Sequence, residues 1–138
     1  MGKVKKKKQP VRIVSWEEYQ TMVDKLAAML CSSEMLFQMP QMFLWGIPRG
    51  GTIVAISISH FNEQLFGYWK ENPLTYGNCS DLVIVDDIVD SGDTATPYHK
   101  KFPVASLFVR GFSSFEPDWY VEKLEDNTWI KFPWEKNT

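Results

Sequence analysis

The sequence predicts an α/β domain with a central, mainly parallel sheet flanked by helices, and three observations carry that expectation. Short apolar runs of strand length alternate with stretches of helical periodicity. The runs at 42–47, 82–85 and 104–109 are almost unbroken, the pattern of strands buried on both faces, rather than alternating with polar residues. The chain has 138 residues, 44% hydrophobic and 14% aromatic, which suffices for one full core and not for two.

Val11 to Val14 reads as a short strand. Ser15, with Glu18 three residues on, forms a capping-box pattern that starts a helix. Trp16, Tyr19, Val23, Leu26, Ala27 and Leu30 then recur at helical spacing and mark its buried face. Segment 32–41, with Pro40, reads as a connection. Met42 to Ile47 is the next strand, ended by Pro48-Arg49-Gly50-Gly51, and a helix is expected from about Thr52 to Asn62. Leu65 to Trp69 reads as a strand, followed by a polar loop through Pro73 and Gly77. Leu82 to Val85 is a strand that runs into Asp86-Asp87, and a helix is expected from about Thr94 after the loop. Val104 to Val109 is another buried strand. Tyr120, Val121 and the 129–134 region suggest later strands or an ordered tail. No internal repeat or dividing linker is visible, so residues 1–10 are expected to be a basic flexible tail and 11–138 a single domain.

Composition narrows the function classes. Lys3, Lys5, Lys6, Lys7 and Lys8 supply five of the 15 basic residues, leaving 10 against 17 acidic ones in the body. A basic tail on an acidic body argues against a specific nucleic-acid groove, which needs positive charge on the folded face. No apolar stretch approaches the roughly 20 residues of a membrane span, and no apolar segment of signal-peptide type follows the N-terminal lysines. Cys31 and Cys79 form no CxxC pair, and His60 and His99 stand alone, so reduced thiols in a cytoplasmic protein are expected rather than a disulfide or zinc site.

Two polar turns lie at the carboxyl ends of the predicted strands, the edge where ligands collect in parallel sheets. The first is Val83-Ile84-Val85-Asp86-Asp87-Ile88-Val89-Asp90-Ser91-Gly92-Asp93-Thr94-Ala95. Three carboxylates so close repel one another, a cost that a ribose diol or a divalent cation would relieve. Behind them, the backbone N–H groups and hydroxyls of Ser91-Gly92-Asp93-Thr94 form a cradle for phosphate at a helix start. A solvated acidic turn with Ser91 or Thr94 as a helix cap would account for part of this pattern, but not for the apolar run, D-D-x-x-D and S-G-x-T together. The second turn is Pro48-Arg49-Gly50-Gly51, where two glycines admit an anion to the backbone and Arg49 adds a fixed positive charge.

The acidic run resembles the signature of the type I phosphoribosyltransferases, and the Arg-Gly-Gly turn is similar to the pyrophosphate loop of that family. The segments Leu107-Phe108-Val109-Arg110, Asp118-Trp119-Tyr120-Val121 and Asp126-Asn127-Thr128-Trp129-Ile130 resemble the bacterial xanthine-guanine members, and the likeness runs from about residue 11 to 135. The resemblance implies the type I fold and Mg²⁺-dependent transfer of phosphoribose from 5-phosphoribosyl 1-pyrophosphate to a 6-oxopurine. By it, Asp86 and Asp87 would hold the ribose, Asp87 the metal, and Asp90 would be the catalytic group beside the base. Ser91, Gly92, Asp93, Thr94 and Ala95 would wrap the 5′-phosphate, while Arg49, Gly50 and Gly51 would bind pyrophosphate around a non-proline cis peptide. Arg110, where relatives have lysine, would meet the purine 6-oxo group, with Trp129 stacking on the base and the Ile130 carbonyl reaching its exocyclic position. Trp134 stands open between core packing and the site. A homo-oligomer is implied as well.

Two departures from the family pattern matter. Asp93 puts a carboxylate where relatives commonly have glycine or lysine. The stretch from Gly51 to Val83 has room for one helix, one strand and a brief loop, so the usual lid is expected to be shortened.

Overall fold

The computed structural model describes residues 9–38, 41–75 and 81–136. Most of the lysine tail, Pro40, Gly77 and Cys79 lie outside the described residues. Strands β1 (Val11–Ile13), β2 (Met42–Gly46), β3 (Phe66–Tyr68), β4 (Leu82–Val89), β5 (Val104–Arg110), β6 (Trp119–Leu124) and β7 (Trp129–Lys131) alternate with helices α1 (Trp16–Cys31), α2 (Glu34–Gln38), α3 (Gly50–Phe61) and α4 (Thr96–His99). Five strands form a wholly parallel sheet in the order β3-β2-β4-β5-β6, and β1 pairs in parallel with β7 as a separate ribbon.

The sheet is covered on both faces, which is why its central strands read as unbroken apolar runs. Val83 and Val85 of β4 pack on one face with Tyr19, Val23, Leu26 and Leu30 of α1 and Val54 and Ile58 of α3. Leu82 and Ile84, the alternate residues, pack on the other with Trp45, Val104 and Tyr98. Ser15 caps α1 as the spacing predicts, its hydroxyl accepting from the Glu18 N–H at 3.0 Å. Arg12 joins β1 to the rest by ion pairs with Glu18 and Glu122, and its guanidinium lies 5.3 Å from the Phe108 ring centroid.

Four boundaries differ from the sequence expectations. β4 continues through Asp86 and Asp87 to Val89, because β5 extends beside it and pairs Asp86 with Ser106 and Val89 with Val109. α3 begins at Gly50 rather than Thr52, so the glycine pair is the first turn of a helix and not a loop before it. The helix expected from Thr94 is the single turn α4, which starts only at Thr96. The connection at 32–41 contains the short α2. Between α3 and β4, β3 is the one regular element among the described residues, in keeping with a shortened lid region.

Candidate active site

The carboxyl ends of β2 and β4 lie side by side, with Gly46 paired to Val85 and the Ile47 N–H donating to Val85 O at 2.8 Å. This register brings the two polar turns together. Ile47, Pro48, Arg49 and Gly50 line one cavity of about 280 Å³ with Asp86, Asp87, Ile88, Val89, Asp90, Ser91, Gly92, Thr94 and Ala95. The Pro48–Arg49 peptide bond in its wall is cis. Two groups far apart in sequence thus share one small space.

The glycines of the Arg-Gly-Gly turn are required by close approach. A Cβ on Gly50 would stand 2.0 Å from Asp87 Oδ2, and one on Gly51 would stand 2.4 Å from Val85 O. Without side chains, the first turn of α3 sits directly against β4 and the Asp87 carboxylate. The 12-residue α3 is long enough to carry a helix dipole to this point; the one-turn α4 is not.

The acids differ in environment. Asp86 is buried, and its Oδ1 accepts from the Asp87 N–H at 2.9 Å. Burial first, and the charge of Asp87 second, push its carboxyl well above the usual carboxylate range. Asp87 is half-buried and lines a second, adjoining space with Arg49, Gly50, Ile53, Trp134, Glu135 and Lys136. Glu135 is raised by burial first and then by Asp87. Among the described residues no three His, Cys, Asp or Glu side chains form a metal cluster. Asp87 is the carboxylate that borders both spaces, whereas Asp86 borders only the main cavity.

The turn after Asp90 has the shape of an anion cradle. Gly92 has φ +96°, a conformation that favours glycine. The Asp93 N–H donates to Ser91 Oγ at 3.2 Å, and Thr96 Oγ1 donates to Gly92 O at 2.6 Å. The N–H groups of Gly92, Thr94 and Ala95 have no protein acceptor among the described residues. Asp93 does not line the main cavity; it borders a separate surface recess with Thr96, Pro97, His99, Lys100, Ser114 and Phe115.

The residues expected on the base side are arranged less directly. Asp90 is 56% exposed and pairs through Oδ1 with Arg110 Nε at 3.2 Å. Arg110 is 4% exposed and also donates to the carbonyls of Asp126 (3.0 Å) and Thr128 (2.5 Å). Trp129 is 50% exposed on β7, Ile130 is buried, and neither lines the main cavity. Trp134 stacks on Phe132 at 4.8 Å and meets Tyr19 edge-on at 5.3 Å, so it packs with the aromatic core while also bordering the second space. Sequence reasoning missed Ser114, whose N–H donates to Ser91 O at 2.8 Å and whose hydroxyl stands where a Cβ on Gly92 would go. It also missed Glu135; a serine in a loop and a glutamate near the end of the described chain carry no signal of their own.

No protein-family model matches the chain. Among solved structures it is similar to a purine phosphoribosyltransferase from Pyrococcus horikoshii, with 24% identity over 95% of this chain and 97% of that one and a TM-score of 0.70. It is similar to the xanthine-guanine-hypoxanthine phosphoribosyltransferase of Helicobacter pylori, with 21% identity over 90% and 93% and a TM-score of 0.64. It is also similar to a hypothetical protein from Neisseria gonorrhoeae with bound ppGpp, with 18% identity over 95% and 92% and a TM-score of 0.71. Five parallel strands covered on both faces, with the acidic turn and the glycine-arginine turn meeting at their carboxyl edge, are the fold of the type I phosphoribosyltransferases, and this chain has that fold.

Proposed function

We propose that the protein transfers phosphoribose from 5-phosphoribosyl 1-pyrophosphate to N9 of a 6-oxopurine (guanine, xanthine or hypoxanthine). The observation that carries this reading is the shared cavity: Arg49 and Gly50 line one side, and Asp86 to Gly92 with Thr94 and Ala95 line the other. One activated sugar with a phosphate at each end matches a site with an anion turn at each end and carboxylates between them.

In the proposed reaction the purine N9 forms a bond to C1′ while the C1′–O bond breaks, and pyrophosphate leaves with the electron pair. Arg49 and the first-turn N–H groups of α3 stabilise the charge that grows on the leaving group. The N–H groups of Gly92, Thr94 and Ala95, with the hydroxyls of Ser91 and Thr94, hold the 5′-phosphate. Asp87 and the donor's oxygens would hold Mg²⁺, whose chemistry is to neutralise developing negative charge. The buried Asp86, kept from ionising readily, is suited to hydrogen-bond a ribose hydroxyl. Asp90, at the exposed mouth, takes the purine proton as the new bond forms.

A second reading, a binding protein without turnover, is favoured by the short connection between α3 and β4 and by the fold it shares with the ppGpp-bound Neisseria protein. The test is incubation with donor and Mg²⁺ plus guanine, xanthine or hypoxanthine separately, with nucleotide and pyrophosphate quantified by chromatography. Nucleotide formed in equal amount to pyrophosphate is the expected result. Donor or ppGpp binding without product selects the second reading, and no binding of either overturns both.

A further inference from the structure

We propose that Arg110 is a positioning residue that locks the Asp90 carboxylate to the loop leading into β7, instead of presenting its charge to the base. This rests on the transferase reading of the site. The arginine ends β5, where the Gly111 N–H donates to Leu124 O at 2.8 Å and holds β6 alongside. From there its guanidinium reaches two other segments. Nε donates to Asp90 Oδ1 in the acidic turn, while Nη1 and Nη2 donate to Asp126 O and Thr128 O in the β6–β7 loop.

All three guanidinium nitrogens therefore have protein acceptors, and the side chain is almost fully buried. The loop is shaped to receive it. Asp126 Oδ1 accepts from the Thr128 N–H at 3.1 Å, closing a local turn from which the carbonyls of residues 126 and 128 both meet the arginine fork. Thr128 leads directly into Trp129, whose partner in the ribbon is Val11. One planar cation thus couples the group assigned to proton transfer with the segment bearing the exposed indole.

A lysine has one nitrogen on a flexible stem and cannot span acceptors on both segments in this fixed geometry. That physical difference supplies the test. Arg110→Lys should lower kcat about 100-fold, the scale of a displacement of about 1 Å at the reacting groups. The loss should be equal for guanine, xanthine and hypoxanthine, with the donor KM unchanged and adenine still rejected. Retained turnover, or a selective loss of discrimination between 6-oxo and 6-amino purines, would overturn the proposal, since either marks a direct base contact.

A readout independent of turnover is amide hydrogen exchange. Arg110→Lys should raise exchange together at 90–93 and 126–131, while the buried β5 amides at 104–108 keep wild-type protection. Asp126→Ala, an exposed change that opens the same turn without touching the core, should raise exchange at 128–131 and lower kcat about tenfold. Unchanged exchange in both variants would overturn the coupling. If the wild-type chain forms no nucleotide, the transferase reading falls and the exchange results alone decide whether Arg110 ties the segments.

Discussion

Replacing Gly92 with alanine should destabilise the protein by about 2–3 kcal/mol, because the substitution meets two independent obstacles. The first is the backbone: at φ +96° an L-residue carries a penalty of about 1–2 kcal/mol. The second is space: the new methyl would stand 2.2 Å from Ser114 Oγ and 3.1 Å from Ser114 N. Ser114 must move, and its N–H bond to Ser91 O, about 1 kcal/mol net, weakens with it. Urea unfolding followed by tryptophan fluorescence should show a midpoint about 1–2 M lower at unchanged m-value. The double variant Gly92→Ala with Ser114→Ala separates the terms. Removing the hydroxyl leaves contacts of 3.1 Å to the backbone N and 3.3 Å to the Cβ of residue 114, so about 1 kcal/mol should return while the backbone part persists. A Gly92→Ala protein within about 0.5 kcal/mol of wild type, or no recovery in the double variant, would refute the left-handed turn buttressed by the 111–118 loop.

Asp90→Asn should lower kcat about 10²–10⁴-fold in the nucleotide assay while the donor KM changes only a few-fold; equal losses in both would contradict a role in proton transfer. Asp86→Asn should stabilise the fold at pH 8 by on the order of 1 kcal/mol, a few degrees in Tm, and weaken donor binding. The sign follows from the raised carboxyl: the folded state holds the Asp86 proton more tightly than the unfolded chain does. Its stabilising effect is full below the ordinary carboxylate range and is lost as pH rises through the raised folded value. The Asn variant does not titrate, so its Tm advantage should vanish near pH 3 and grow toward pH 8. An advantage independent of pH would show that burial of Asp86 does not carry the effect.

The unbroken apolar runs at 82–85 and 104–109 made a doubly covered parallel sheet legible, because a strand buried on both faces has no polar alternation to display. The Ser15–Glu18 cap was legible for a similar reason, since it is completed within one turn of chain. The acidic and glycine-arginine turns stood out in the sequence because clustered charge and paired glycines are costly, and the structure brings them to one cavity.

What local sequence could not carry is whatever depends on a neighbour. The length of β4 was decided by β5, which continues the hydrogen-bond ladder past the two aspartates. The need for glycine at position 50 was decided by the carboxylate of Asp87, which fills the place of a missing side chain. In the sequence Arg110 looks like a substituted lysine; its three acceptors come from segments that lie near it only after folding. Composition and periodicity thus determined the layers and the two polar turns, since those follow from properties of adjacent residues. The convergence of the turns and the use made of each polar side chain were settled by tertiary structure, because hydrogen-bond partners distant along the chain leave no periodic trace.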